Sequence, residues 1–363
     1  VYVAQEMERA GMTIPLMIGG ATTSRVHTAV KVEQHYTKGP VIHVLDASRS
    51  VTVVESLLGH KKAEFVENIQ AEYLKLREYH EKHKTAKVLL SLEKARENKF
   101  PIEWRAEDIQ KPNFLGVKSY VNYPLEKLVE NLDWTPFFQT WELHGKYPDI
   151  LTDEVVGEQA TAVFADAQEM LKKIVDEKWL EARAAFGLFP ANSIGDDIEI
   201  YNPENPSEVI GIQRSLHQQT SKAKSASNMA LADFIAPKET GIQDYIGGFV
   251  VTAGIGLEER VQVFEKDNDV YNSIMLKALG DRLAEAFAEH LHQLIRKEHW
   301  GYAANEDLTN NELIKEKYRG IRPAPGYPAC PDHTEKEILF ELLNATELSG
   351  VSLTESLAMY PTA

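Results

Sequence analysis

Over the first fifty residues, short apolar runs alternate with stretches of helical spacing. Residues 2 to 10 read as helix, Gly11 stops it, and Ile14-Pro15-Leu16-Met17-Ile18 forms a strand that ends in the glycine turn Gly19-Gly20. Thr22, Thr23 and Ser24 are placed to cap a helix through Val26, Ala29, Val30 and Val32 toward Tyr36. A second strand, Val41-Ile42-His43-Val44-Leu45, ends at Asp46-Ala47-Ser48, and another helix begins near Val51. This alternation predicts parallel strands joined by helical crossovers. A doubly wound sheet normally has five or more strands, so two strands suggest the tail end of a domain that the chain enters partway.

From Glu55 to roughly Lys87 the chain is strongly charged with Glu and Lys at helical spacing, and the domain boundary is expected there: 1–67 as the first unit, 68–86 as linker, 87–363 as the second. The second part predicts a long helix from Asp153 to Glu181. Strand candidates follow at Asp197–Tyr201, Val209–Gln213, Ala230–Ile235 and Tyr245–Thr252, and a second long helix from about Leu257 to His299. Gly187, Pro190, Gly195, Pro203 and Pro206 act as separators, which favours hairpins over crossovers. Clustered strands between long helices predict an α+β fold with an antiparallel sheet, preceded by a partial α/β Rossmann-like segment. In the second long helix, Ile274, Leu279, Leu283, Phe287, Leu291 and Leu294 make a core stripe, while Asp281, Arg282, Glu285 and Glu289 fall off it as a solvated charge run.

Composition narrows the partners. The 363 residues suggest about two domains, and 43% apolar residues suffice for packed cores. A net charge of −16, from 55 acidic and 39 basic residues, argues against a nucleic-acid footprint and against an anionic membrane surface. No apolar stretch approaches the ~20 residues that span a bilayer, and Val1-Tyr2-Val3-Ala4-Gln5-Glu6 lacks a basic region followed by an apolar one, so a cytoplasmic location is the default expectation. Cys330 is the single cysteine, which excludes a disulfide framework and cysteine-rich zinc or iron–sulfur sites. No metal site is expected, and no His-Glu-x-x-His pattern occurs around His290, His292 and His299.

The segment Arg322-Pro323-Ala324-Pro325-Gly326-Tyr327-Pro328-Ala329-Cys330-Pro331-Asp332-His333 carries four prolines in twelve residues. Proline fixes φ and lacks an N–H, so the run is a stiff, extended loop, and Gly326 alone lets a ligand approach the backbone closely. A guanidinium on such a frame offers a planar fork for carboxylate or phosphate, and Tyr327 adds an aromatic face with a hydroxyl. A rigid surface turn is the alternative. Asp133, before Trp134-Thr135-Pro136, reads as a helix N-cap or as a carboxylate beside aromatic surface. Gly19-Gly20-Ala21-Thr22-Thr23-Ser24 sits where open α/β sheets bind ligands, and reads equally as plain strand-to-helix punctuation.

Arg322-Pro-x-x-Gly-Tyr-Pro followed by Cys-Pro-x-His resembles the fingerprint of the reactivation domain of cobalamin-dependent methionine synthases. Four further stretches resemble that domain in the same order: Asn131 to Phe138, Phe189 to Tyr201, Leu231 to Pro237, and Lys277 to Ala286. The resemblance implies binding of S-adenosylmethionine, with Asp133 taking the ammonium, Arg322 the carboxylate, backbone groups around Ala324, Gly326 and Tyr327 the adenosyl part, and Glu285 the sulfonium. It implies that residues 1–67 are similar to the last portion of a cobalamin-binding domain, with Gly19 and Ala47 facing the cofactor's nucleotide tail. Asp281 and Arg282 are then interdomain contacts. The Asp-x-His-x-x-Gly motif of such domains does not occur, so firm cobalamin binding by this fragment alone is not expected. Family members extend beyond the equivalent of Ala363 and contribute tyrosines to the site, which implies a weakened affinity here.

The resulting expectation is a methyltransferase fragment that supports reductive methylation of cob(II)alamin. Its partners are the upstream cobalamin domain and a flavodoxin-like reductant, and homocysteine, folate and zinc chemistry reside in other units. Two alternatives stand beside it: a module that senses S-adenosylmethionine or docks a redox partner without its own chemistry, and a stand-alone reactivase for another corrinoid protein.

Overall fold

The computed structural model describes residues 1–19, 24–44, 47–83, 89–222 and 226–361, with side chains also left undescribed at 47–49, 51–52 and 80–83. The chain divides into two compact units, Val1–Val88 and Leu89–Ala363.

In the first unit β1 (Leu16–Gly19) and β2 (Val41–Val44) pair in parallel, Leu16 opposite Val41 and Gly19 opposite Val44. Successive side chains of β2 point to opposite faces: Val41 packs with Ala4, Val32 and Tyr36, whereas Ile42 and Val44 pack with Leu57. The crossover is three short helical pieces, Arg25–His27, Thr28–Val32 and Glu33–His35, rather than one helix. Ser24 caps the first piece by accepting the His27 N–H at 3.1 Å, while the capping expected of Thr22 and Thr23 falls outside the described residues. Helices Ala47–Leu58 and Lys62–His83 follow. Residues 68–83, expected as linker, are helix and belong to this unit. Phe65, Val66 and Ile69 pack on the Ile42–Val44 face, and the Tyr73 hydroxyl accepts the His43 N–H at 2.8 Å.

The second unit is built on a five-stranded antiparallel sheet. β4 (Glu181–Ile194) is its centre: its first half pairs with β3 (Gly116–Tyr123), its second half with β5 (Asp197–Tyr201), and most of its length with β7 (Asp244–Ile255) on the other side. β6 (Val209–Arg214) pairs with β5. Ala182, Ala184, Phe186 and Leu188 point to one core and Ala185, Phe189 and Ala191 to the other, so β4 is buried on both faces. The first core holds the helices Gly157–Asp176, Leu257–Lys266 and Val270–Leu294. The second holds Glu335–Leu343 and Ala345–Ser349. Gly248 permits this second layer, because a Cβ there would collide with Leu339.

Several expected elements shift for local reasons. The helix placed at Asp153–Glu181 runs Gly157–Asp176: Asp153 takes the Val155 and Val156 N–H groups at 2.9 and 3.0 Å ahead of it, Lys178 leaves it with φ +54°, and Glu181 starts β4. Ala230–Ile235 is a 3-10 turn, Leu231–Phe234, instead of a strand. Asp233 Oδ2 accepts the Ala230 N–H at 3.1 Å and the Phe100 N–H at 3.2 Å, a local competitor to sheet pairing. The helix expected from Leu257 to His299 breaks at Asn268, φ +56°, and restarts after Asp269, which caps it by accepting the Asn272 N–H at 3.1 Å. His217 lies between two carboxylates, Nε2 at 3.0 Å from Asp233 and Nδ1 at 3.0 Å from Asp196, and Arg96 forks onto Asp196, tying the entry segment to the sheet. Among the described residues no helix is long and apolar enough to cross a membrane.

Candidate functional site

The proline-rich loop is shaped by its own backbone. Pro325 and Gly326 occupy the corners of a turn in which the Tyr327 N–H donates to the Ala324 carbonyl at 3.2 Å, with Gly326 at φ +103°, the pattern of a type II turn. A side chain at 326 would meet the His333 ring as well as an unfavourable φ. The Gly326 N–H donates to the Cys330 carbonyl at 2.8 Å, and the Cys330 N–H donates to the Tyr327 carbonyl at 2.9 Å. Cys330 is buried in the second core and Ala329 accepts the Leu231 N–H at 3.0 Å, so the loop is anchored to the sheet side. The N–H groups of Gly326 and Tyr327 are therefore committed within the loop, whereas contacts from these groups to a ligand were expected. Ala324 N–H and the Gly326 carbonyl remain uncommitted among the described residues, and Tyr327 is 64% exposed.

Arg322 opens the loop half-buried, its Nη2 donating to Glu289 Oε2 at 3.1 Å. Glu289 lies on the helix Val270–Leu294 and is buried, contrary to its expected place in a solvated run. Burial pushes its carboxyl up, opposed by the charges of Arg322 and Arg296. Arg322 Nε and Glu289 Oε1 are both buried without a hydrogen-bond partner among the described residues. Two turns on, Arg296 is fully buried and forks onto Glu306 at 3.0 and 2.7 Å. Its Nη1 donates to His292 Nδ1 at 2.7 Å, and its guanidinium stacks 4.1 Å from the centre of the Tyr318 ring. Burial, then the charges of Arg296 and Arg322, hold His292 down at about 3, so it is a neutral acceptor at physiological pH.

Asp133 caps the helix Trp134–Thr140, its Oδ1 accepting the Thr135 N–H at 3.0 Å while Oδ2 has no partner among the described residues. The segment before it is fixed from two directions. Asn131 Nδ2 pairs with His290 Nδ1 at 3.2 Å, His290 Nε2 meets the Tyr123 hydroxyl at 2.8 Å, and Asn310 donates to the Leu132 carbonyl at 3.3 Å. Asn310 Oδ1 is also buried without a hydrogen-bond partner among the described residues. Glu289 and His290 are adjacent on one helix, so a single turn of it ties the Arg322 loop on one side and the Asp133 segment on the other.

Glu285 stands exposed one turn before Glu289 on the same face of that helix. Asp281, exposed, and Arg282, half-buried, lie a further turn back, with the Asp281 carboxyl raised mainly by desolvation. Gly19 ends β1 in the other unit, where a Cβ would stand 2.7 Å from the Val44 carbonyl oxygen. Ala47 opens the helix after β2, its side chain outside the described residues. Reading the charge run as wet surface missed Glu289, and Arg296 with its partners His292 and Glu306 was not singled out at all. The available signal was spacing: Glu285, Glu289, His292 and Arg296 recur at four, three and four residues, a polar seam along one helix face. Among the described residues no cluster of His, Cys, Asp or Glu suited to a metal ion occurs.

Fold and site together define an α+β domain whose chemistry-bearing groups are binding groups: an arginine fork, a capping aspartate and a braced loop. The family model described as vitamin B12 dependent methionine synthase, activation domain, matches residues 124–363, and the chain belongs to that family. It is similar to a solved structure described as the MetH reactivation domain bound to AdoHcy, at 53% identity and a TM-score of 0.72, over 75% of this chain and 83% of that one. Residues 124–363 are thus the reactivation domain of a methionine synthase, and the chain is a methyltransferase-associated protein.

Proposed function

We propose that this chain binds S-adenosylmethionine between the Asp133 segment and the Arg322 loop, and presents its methyl group for transfer to reduced cobalamin. The observation that carries this reading is the shared anchorage of Arg322 and the Asp133 segment on consecutive residues of one helix. That arrangement supplies an acceptor for an ammonium and a fork for a carboxylate, the two ends of an α-amino acid. The AdoHcy held by the similar MetH domain is the same molecule lacking the methyl group, which supports this ligand class. Glu285 adds negative charge toward the sulfonium, while Ala324, Gly326 and Tyr327 form the adenosyl edge.

No general base is required. A sulfonium is already an activated methyl donor, so the protein's task is to hold it in line with its acceptor. When bound, the corrinoid supplies that nucleophile. Gly19, the last residue of β1, and Ala47, which opens the helix after β2, stand near the carboxyl ends of two parallel strands, where open α/β sheets take ligands, and would line part of its nucleotide tail. Asp281 and Arg282 serve the approach of the cobalamin-bearing part, a flavodoxin-like protein supplies the electron, and the setting is cytoplasmic. The test is single-turnover transfer from methyl-labelled S-adenosylmethionine to chemically reduced cobalamin added to this chain. Labelled methylcobalamin is expected; tight ligand binding without any transfer would favour a sensing or docking module.

A further inference from the structure

We infer that Glu289 is a positioning residue for S-adenosylmethionine: it holds one nitrogen of the Arg322 guanidinium so that the rest of the fork is aimed at the ligand's carboxylate. The inference rests on the binding reading above and assigns a role to a residue outside the set drawn from sequence. Pro323 stiffens the backbone beside Arg322, but the side chain beyond it has several free torsions, and Glu289 is its ion-pair partner among the described residues. The other buried guanidinium does not compete, because Arg296 already has both oxygens of Glu306 and the nitrogen of His292. Each arginine therefore has its own carboxylate, and Glu289 belongs to Arg322.

The pair is incomplete in an informative way. Glu306 takes Nε and Nη2 of Arg296 together, the full side-on fork, whereas Glu289 takes only Nη2 of Arg322 and leaves Nε buried without a hydrogen-bond partner among the described residues. Its own Oε1 is likewise buried without a partner among the described residues. Unpaired buried polar atoms are rare in folded proteins, and the unmet donor on Arg322 marks a place for a third group. A ligand carboxylate is such a group for Nε–H, a donor suited to a planar anion, and charge-assisted bonds of this kind are strong and directional, whereas Glu289 Oε1 is an acceptor and takes no part in that contact. Glu289 is one helical residue from His290, which braces the Asp133 segment, so the same turn that aims the fork also fixes the opposite end of the site.

The experiment titrates the 363-residue chain with S-adenosylmethionine and with decarboxylated S-adenosylmethionine, which differs only in lacking the carboxylate. Glu289→Ala and Glu289→Gln are measured alone and with Arg322→Ala; the Gln variant keeps the volume should the Ala variant fail to fold. The expected result is an approximately ten-fold or larger loss of affinity for S-adenosylmethionine in Glu289→Ala and a smaller loss in Glu289→Gln. Little change is expected for the decarboxylated ligand, and no further loss from either Glu289 variant once Arg322 is removed. Equal losses for both ligands, or losses that add to that of Arg322→Ala, overturn the inference. If Arg322→Ala weakens binding but both Glu289 variants bind as wild type, this inference alone falls. If wild type binds neither ligand, or Arg322→Ala binds as wild type, the site reading falls and takes it along.

Discussion

Removing the Glu306 carboxylate tests the buried charge network that backs the site. Arg296 has no exposed side-chain surface and Glu306 has 7%, so neither charge is rescued by water when its partner is lost. In Glu306→Ala the guanidinium keeps the neutral His292 nitrogen at 2.7 Å and the Tyr318 face at 4.1 Å, but no anion at its fork. Breaking a buried pair from one side costs ~3–5 kcal/mol, and the retained imidazole and ring place the expectation near the lower end, ~3 kcal/mol. For a unit of this size that corresponds to a fall in Tm of about 6–12 °C. Urea unfolding of wild type and variant, followed by tryptophan fluorescence, gives the difference, with an unchanged m-value required for a clean comparison. The double variant Arg296→Met with Glu306→Leu removes both charges and is expected to recover most of the loss. A loss under ~1 kcal/mol in Glu306→Ala, the size of an exposed pair, refutes the reasoning.

Other outcomes follow from the same geometry. His292 sits at about 3 in the folded protein against 6.5 for the free side chain, so between those values the unfolded chain binds a proton that the folded chain does not. Stability contributed by this group is intact above pH 6.5 and declines as pH falls toward 3, by up to ~1.4 kcal/mol per unit; unfolding free energies measured across that window should show a shallower slope in His292→Gln. Gly326→Ala is expected to destabilise by ~1–2 kcal/mol from its φ of +103° alone and to weaken S-adenosylmethionine binding, which thermal melts and titration check together. Gly248→Ala drives a methyl into Leu339 and should cost ~1–3 kcal/mol in chemical denaturation without altering ligand affinity.

The sequence makes some elements plain and hides others for physical reasons. β5, β6 and β7 were legible because their β-branched residues alternate or run together between turns. β4 was hidden: buried on both faces, it carries Gly187 and Pro190 inside the strand, residues that ordinarily interrupt one. Pro190 is accommodated opposite Tyr245 near the end of the β7 pairing. The crossover after β1 was read correctly as helical but its breakage into three pieces carries no sequence mark. At the site, Arg322 and Asp133 stood out by motif and by position before a helix, and Asp133 proves to be the cap its neighbours suggest. Glu289 and Arg296 did not, because burial of a charge depends on a partner distant in sequence, Arg322 or Glu306, that periodicity does not disclose.

The claim on which the functional reading turns is that Asp133 and Arg322 act on one ligand molecule. Calorimetric titration of S-adenosylmethionine into wild type, Asp133→Asn, Arg322→Ala and the double variant addresses it directly. Asparagine preserves the helix cap, so a fold defect does not confuse the comparison. The account predicts about ten-fold or greater weakening in each single variant, with melting temperatures close to wild type, and binding near the detection limit in the double. Unchanged affinity in both single variants contradicts it.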